Sequence, residues 1–300
     1  MLKLLKNNLL GNLKELIANI KDNYLSNVIS VSKIKTLIVP KFNGETVAAG
    51  LESRYFNDPT SKYYQRTKET ILESWADKGA ESMEYGKLLD STAEQILEIQ
   101  DEEEFEMFIL DNNYEYDERF AEIVDTFMKF YTDLFNKGYI EYVGREIPVY
   151  YNNPGNGLSV IGRIDALFYN RKANKWMIID WKSDEKIKTD VNCYTERCLG
   201  PAKSLYNLSW YLYTIQLHTY KAALLQNYLP EGTKPEDVEV YICNIPQKPY
   251  QDENDLVKNN HNYKLFGEAF NYDEELLNKI YVFSMKKDKL SKKKNKLSKK

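Results

Sequence analysis

The sequence predicts an α/β chain in which a mainly helical N-terminal part precedes a small sheet. Three observations carry that expectation. Apolar residues recur at steps of three and four in segments of the first 135 positions. Near residue 140 the pattern changes to three runs rich in Val, Ile, Tyr and Phe, separated by turn formers. A long helical pattern and one more strand-like run then close the unit, as in an α/β architecture.

Leu2, Leu5, Leu9, Leu13, Leu16 and Ile20 form the stripe of an amphipathic helix with Lys and Asn opposite. Core packing suits that stripe better than membrane docking, because the polar face is weakly basic. Residues 31–65 show no clear period; their apolar stretches, such as 36–39, are short, and turn signals stand at Pro40, Gly44, Gly50 and Pro59. A helix over about 67–100 is expected to break at Gly79 or Gly86, and the acidic stretch 101–106 to act as a solvated connector or cap. Another helix, about 117–136, places Phe120, Ile123, Phe127, Phe130 and Phe135 near one face.

Residues 140–151, 158–169 and 175–182 read as three antiparallel strands, with turns at 152–157 and 170–174. A helix over about 203–227 and a strand at 238–244, stopped by Pro246, follow. With no internal repeat and no Ser/Gly-rich linker, residues 1–285 are expected to form one domain. Within it, 1–140 are mainly helical, 141–245 hold the sheet and its helix, and 246–285 are a C-terminal extension. Residues 286–300 carry nine Lys and one Asp, a net +8 that leaves −12 on residues 1–285. That end is read as a basic disordered tail, either a solvated terminus or a tether for a polyanion.

Composition excludes several classes. Hydrophobic residues at 43% and charged residues at 29% fit a soluble globular chain. No window approaches the roughly 18 apolar residues of a membrane span, and the first twenty residues lack a secretory pattern. Cys193, Cys198 and Cys243 are too few for a four-thiolate zinc or iron–sulfur site and give no disulfide framework, so an intracellular, reducing setting is expected. His218 and His261 are the only histidines, which rules out a three-His centre and leaves ionic catalysis to carboxylates, Lys or Tyr.

The segment GRIDALFYNRKANKWMIIDWKSD, 162–184, holds the candidate chemistry. A turn centred between Lys172 and Ala173 sets Asp165 directly opposite Asp180, with about 4.5–5.5 Å between their Cβ atoms. Side-chain alternation puts Lys182 on the same face as Asp180. Residues 176–181 are otherwise almost continuously apolar, the mark of a strand covered on both faces, so these charges are partly desolvated and need partners. A hard divalent cation, Mg²⁺ or Mn²⁺, would answer two carboxylates. Lys182 could then orient a metal-activated water or steady the charge developing on a phosphodiester under attack. An Asp/Lys ion pair beside a turn is the plain structural alternative.

Gly162-Arg163-Ile164-Asp165, followed by Ile178-Ile179-Asp180-Trp181-Lys182 and by Gln216 and Tyr220 in a Q-x-x-x-Y pattern, resembles the PD-(D/E)XK nucleases, in particular their RecB-like exonuclease branch. The resemblance spans about 79–244 and is most similar to phage-type and mitochondrial genome maintenance exonucleases. It implies a restriction-endonuclease-like core, a mixed sheet flanked by helices, with a helical N-terminal elaboration. It also implies metal ligation by Asp165, Asp180 and the Trp181 backbone carbonyl, and Lys182 as the catalytic lysine. Glu146 matches an upstream acid, while Gln216, Tyr220 and Arg163 are expected to support the site or touch DNA. Where the family pattern G-x-x-x-H-x-x-x-E places a metal-binding His, this chain has Asp90, between Gly86 and Glu94. Asp90 and Glu94 are therefore expected as metal ligands, Asp replacing His as a hard donor; weakened metal binding or lost activity is the other reading of that change.

The resemblance thus implies a Mg²⁺- or Mn²⁺-dependent DNA exonuclease acting on single- or double-stranded ends, with no membrane and with possible replication or recombination partners. A non-catalytic DNA-binding module of the same fold and an endonuclease are the alternatives. No Walker-type phosphate loop is present.

Overall fold

The computed structural model describes residues 28–99, 102–111, 118–135, 138–153, 157–247 and 263–297. The predicted helix carrying Leu2 to Ile20, and His261, lie outside them. The described chain opens with β1 (Val28–Ser30), which passes directly into α1 (Val31–Leu37). Ser30 makes that change of direction possible: its hydroxyl accepts the Lys33 N–H at 3.2 Å and caps the new helix. Asn43 caps α2 (Gly44–Tyr55) and Thr67 caps α3 (Lys68–Ile96) in the same way. Helices α4 (Glu102–Asp111) and α5 (Glu118–Phe135) complete the first half.

Strands β2 (Ile140–Asn153), β3 (Leu158–Asn170) and β4 (Lys175–Lys182) form the expected antiparallel meander. After a 3-10 turn at Gly200–Ser204 come α6 (Ser209–Asn227), β5 (Val238–Asn244), the short β6 (Lys264–Phe266) and α7 (Glu274–Leu297). Strand β5 lies parallel to β4, so α6 is the crossover that a parallel neighbour requires. This is a mixed α/β sheet flanked by helices, the predicted fold class. No described helix is long and apolar enough to cross a membrane.

Three expectations are corrected. Helix α3 runs unbroken for 29 residues. Gly79 faces open space, and the roughly 1 kcal/mol that a helical glycine costs relative to alanine is absorbed by so long a helix. The acidic stretch is not a connector: Phe105 and Phe108 turn it into α4, with Phe108 buried. Nor is 286–300 a disordered tail from its start. Helix α7 continues to Leu297, burying Met285 and Asp288, while Lys287 Nζ donates to the Leu37 carbonyl at 2.7 Å.

Two apolar layers cover the sheet. On one face α1, α6 and α7 pack through Ile34, Ile215 and Tyr281 against Ile164, Leu167 and Ile178. On the other, α3, α4 and α5 pack through Leu89, Phe108 and Phe127 against Phe168, Ile179 and Trp181. Because β4 alternates, Trp181 goes to the second layer, between Phe127 and Phe130 with centroids at 5.0 and 5.2 Å. Asp180 and Lys182 go to the first.

Strand β3 organises the sheet. Strand β2 follows one of its edges from Leu158 to Asn170. The other edge is shared: β1 pairs in parallel with Ser159–Ile161, and β4 pairs antiparallel with Ala166–Asn170. Residues 162–165 fall between these ladders, and there the sheet opens into a notch. Gly162 is needed at its rim, since a Cβ there would stand 2.4 Å from Tyr220 Cε1 and 3.2 Å from Val31 Cγ2. Gly162→Ala is expected to displace the Tyr220 ring and destabilise the fold by about 1–3 kcal/mol, measured as a lower urea midpoint at unchanged m-value. An unchanged midpoint would show that the close approach is not needed.

Candidate active site

The β3–β4 register pairs Ala166 with Ile179 and Asn170 with Lys175, which sets Asp165 and Asp180 opposite one another one step beyond the last pair. The ladder ends there for a chemical reason. Asp165 Oδ2 accepts the Trp181 backbone N–H at 2.9 Å, so a side chain takes the donor that a backbone carbonyl would otherwise meet. Asp180 is fully buried. Its Oδ1 accepts from Gln216 Nε2 at 2.7 Å, and its Oδ2 is ion-paired with Lys182 Nζ. The same ammonium donates to the Trp181 carbonyl at 2.7 Å.

Burial and the facing Asp180 push the Asp165 carboxyl well above the usual carboxylate range, against the pull of Lys182 and the Trp181 N–H. For Lys182, burial pulls down, but Asp180 and Asp165 outweigh it and hold the ammonium above the ordinary lysine value. The site therefore keeps a fixed positive charge beside a carboxylate that resists ionisation.

Helix α6 supplies the next layer. Gln216 Nε2 also donates to Tyr220 Oη at 3.0 Å, and the Gln216 side-chain oxygen Oε1 accepts from Lys35 Nζ on α1. An ammonium can only donate and an ionised carboxylate can only accept, so these two neighbours dictate which way the amide faces. Burial, together with the Asp180 and Asp165 charges, pushes the Tyr220 phenol far above its ordinary value and keeps it neutral. Tyr213 lies beneath both cations, with Lys35 and Lys182 at 5.0 and 5.1 Å from its ring centroid, and its hydroxyl donates to Asp184 at 2.7 Å.

A second cluster forms the mouth. Strand β2 puts Glu146 beside Arg163, Oε2 to Nε 2.5 Å. Glu146 has φ of +49°, in the left-handed region that a residue with a Cβ enters at a cost. Asp90, on α3, is exposed yet close enough to be influenced by Lys182, Asp180 and Arg163; partial desolvation raises its carboxyl. Gly86, one turn earlier, lets α3 approach β4: a Cβ there would stand 3.1 Å from Ser183 Oγ.

The expected site residues therefore divide. Asp165, Asp180, Lys182, the Trp181 carbonyl, Gln216 and Tyr220 meet in the notch, while Asp90, Glu146 and Arg163 meet at its mouth. Glu94 does not join either group, because its exposed carboxylate is paired with Arg145, which also binds Glu98 at 2.9 Å. Lys35 and Asp184 are absent from the sequence expectation. Asp184 is adjacent to the motif and could have been proposed from it, whereas Lys35 carries no local signal.

Among the described residues no three His, Cys, Asp or Glu side chains already converge as a metal cage. The donor set nevertheless suits a hard cation. Asp180 Oδ2 and the Trp181 carbonyl are oxygens already bridged by a cation, the Lys182 ammonium, and the Asp165 carboxyl stands beside them, its proton held by burial and by the facing Asp180.

The family model of the PD-(D/E)XK nuclease superfamily matches residues 56–292. No curated protein matches the sequence. Solved structures similar in backbone include that of a candidate exonuclease from Eubacterium rectale, at 16% identity and a TM-score of 0.40, with 87% of this chain and 82% of that chain covered. The match takes in all four strands β2 to β5 and the helix that carries Gln216, and with it the chain belongs to the PD-(D/E)XK nuclease superfamily.

Proposed function

We propose that this protein is a divalent-metal-dependent DNA nuclease, an exonuclease of the RecB-like kind that hydrolyses phosphodiester bonds from DNA ends. The observation that carries the reading is the Lys182 ammonium held between the Asp180 carboxylate and the Trp181 carbonyl, directly beside Asp165. Mg²⁺ or Mn²⁺ is the cation that these oxygens suit, with Asp165, Asp180 and the Trp181 carbonyl as its holders and Asp90 within reach from α3. Such an ion polarises a phosphoryl oxygen and acidifies a bound water.

The remaining work falls to the chain's own groups. Lys182 stays an ammonium at neutral pH, so it acts as a charge: it orients the attacking water or steadies the negative charge gathering on phosphorus. Gln216 holds Asp180 in one orientation through its amide N–H, leaving the second carboxylate oxygen to the site. Arg163, 66% exposed at the mouth, offers a guanidinium to the incoming phosphate backbone.

Asp180→Asn and Lys182→Ala are each expected to lower metal-dependent degradation of end-labelled linear DNA at least about a hundredfold, with circular dichroism unchanged. Undiminished cleavage by both variants would sink the proposal. Closed circular DNA cut at the rate of linear DNA would make the enzyme an endonuclease instead.

Asp165 supplies a stability test. A carboxyl with a raised folded-state value binds its proton more tightly folded than unfolded. Its stabilising effect is therefore complete below the unfolded value of about 3.9 and is lost as pH rises through the raised folded value. In chelator at neutral pH, Asp165→Asn should raise the melting temperature by roughly 2–4 °C and flatten its decline with pH. Added Mg²⁺ should stabilise the wild type, more at pH 8 than at pH 5, and leave the variant unmoved. An equal Mg²⁺ response in both proteins would remove Asp165 from the metal site.

A further inference from the structure

Lys35 is a second lysine at the centre of the site, and it comes from outside the region matched by the family model, which begins at residue 56. It reaches the notch because β1 ends beside Ile161 and the Ser30 cap turns the chain into α1 there. The C-terminal end of α1 is fastened by two bonds. Leu199 N–H donates to the Ile38 carbonyl at 2.6 Å, and Lys287 Nζ donates to the Leu37 carbonyl at 2.7 Å. The ammonium is thus held in place by fixed backbone, unlike a surface lysine that can sweep through solvent.

Its protein partners do not match its charge. Lys35 Nζ donates to one amide oxygen, that of Gln216, and lies over the Tyr213 ring, but no described carboxylate comes within ion-pair distance of it. Asp180, Asp165 and Asp184 attract it from farther away, while Lys182 repels it; burial first, and Lys182 next, lower its value to about 8. An ammonium has three N–H donors, so two are left for a ligand. Half-burying a cation this way costs free energy that an uncharged side chain of similar length would avoid, and two like charges beside one ring add to the cost.

We infer that Lys35 is a substrate-binding residue, its ammonium taking a backbone phosphate of the nucleic acid next to the phosphate that faces Lys182. This deepens the nuclease reading and rests on it for the identity of the anion. Two lysines sharing the Tyr213 ring would then grip neighbouring phosphates of one strand, with Gln216 linking Lys35 to Asp180 and so joining substrate binding to the carboxylate centre. Lys35 in this role makes a charge-assisted contact that an apolar residue of the same length cannot replace.

The test uses the full chain in chelator, where no turnover occurs, and follows fluorescence anisotropy of a fluorescein-labelled DNA duplex across a range of salt concentrations. Lys35→Met should weaken binding about tenfold and reduce the slope of log affinity against log salt by about 0.9, the loss of one phosphate contact. Lys35→Arg should restore both. A Lys35→Met protein that binds more weakly with an unchanged slope, or a Lys35→Arg protein as weak as Lys35→Met, would overturn the assignment by showing a role in packing alone. Wild-type protein that binds DNA but does not cut it when Mg²⁺ or Mn²⁺ is supplied would refute the nuclease reading while the salt slopes still decide the role of Lys35. Wild-type protein that binds no DNA would refute both.

Discussion

Two carboxylates set face to face across adjacent strands, at the point where a sheet ladder stops, are the constraint on which this structure turns. Asp165 and Asp180 repel one another in partly desolvated surroundings, and each nearby polar group answers that repulsion. The Trp181 N–H goes to Asp165, the Gln216 amide to Asp180, and the Lys182 ammonium bridges Asp180 and the Trp181 carbonyl. Leaving a buried carboxylate without such partners costs more than most single contacts return. The arrangement is therefore all or nothing: strand register, helix placement and amide orientation have to agree before the pair is tolerable.

That agreement is secured by apolar packing at a distance. Trp181 wedged between Phe127 and Phe130 locks the pleat of β4, so its even-numbered residues have to face α6. Helix α6 is held from its far side as well. Glu268 meets His218 and Lys221 at 3.4 and 3.3 Å, Trp210 Nε1 donates to the Gly267 carbonyl at 2.8 Å, and the Thr214 hydroxyl accepts the Ala269 N–H at 3.0 Å. Within the 216–220 motif, then, Gln216 and Tyr220 serve the notch while His218 serves the clamp behind it. The Glu268 carboxyl is held below its usual range, first by its bond to His218 and then by Lys221.

The central meander and the meeting of Asp165 with Asp180 were legible because two signals coincide there. Asn170 and Asn174 mark the turn, with Asn174 at φ +56° and Asn170 accepting the Ala173 N–H at 2.9 Å, and the place of the turn sets the register of the apolar runs on both sides. Elsewhere charge obscured period. The run of acids in α4 hides the spacing of Phe105 and Phe108, and the lysines after residue 285 hide a stripe in which Tyr281, Ser284, Met285 and Asp288 are all buried. Helix α1 was illegible for a different reason. Seven residues give fewer than two turns, too few to establish a period, and a lysine in such a stretch looks like any solvated charge. Glu94 shows the converse limit: the family pattern names it with Asp90, but a pattern says nothing of Arg145, the partner that holds it elsewhere.

The three-residue strand β1 has a significance beyond delivering α1 to the notch. It covers the backbone of Ser159–Ile161 along the edge that β4 leaves open. Without it, those groups would form a bare sheet edge, a template for pairing with another molecule. Strand β1 thus gives those groups a partner within the chain, and the segment upstream of the family match completes the sheet as well as reaching the site.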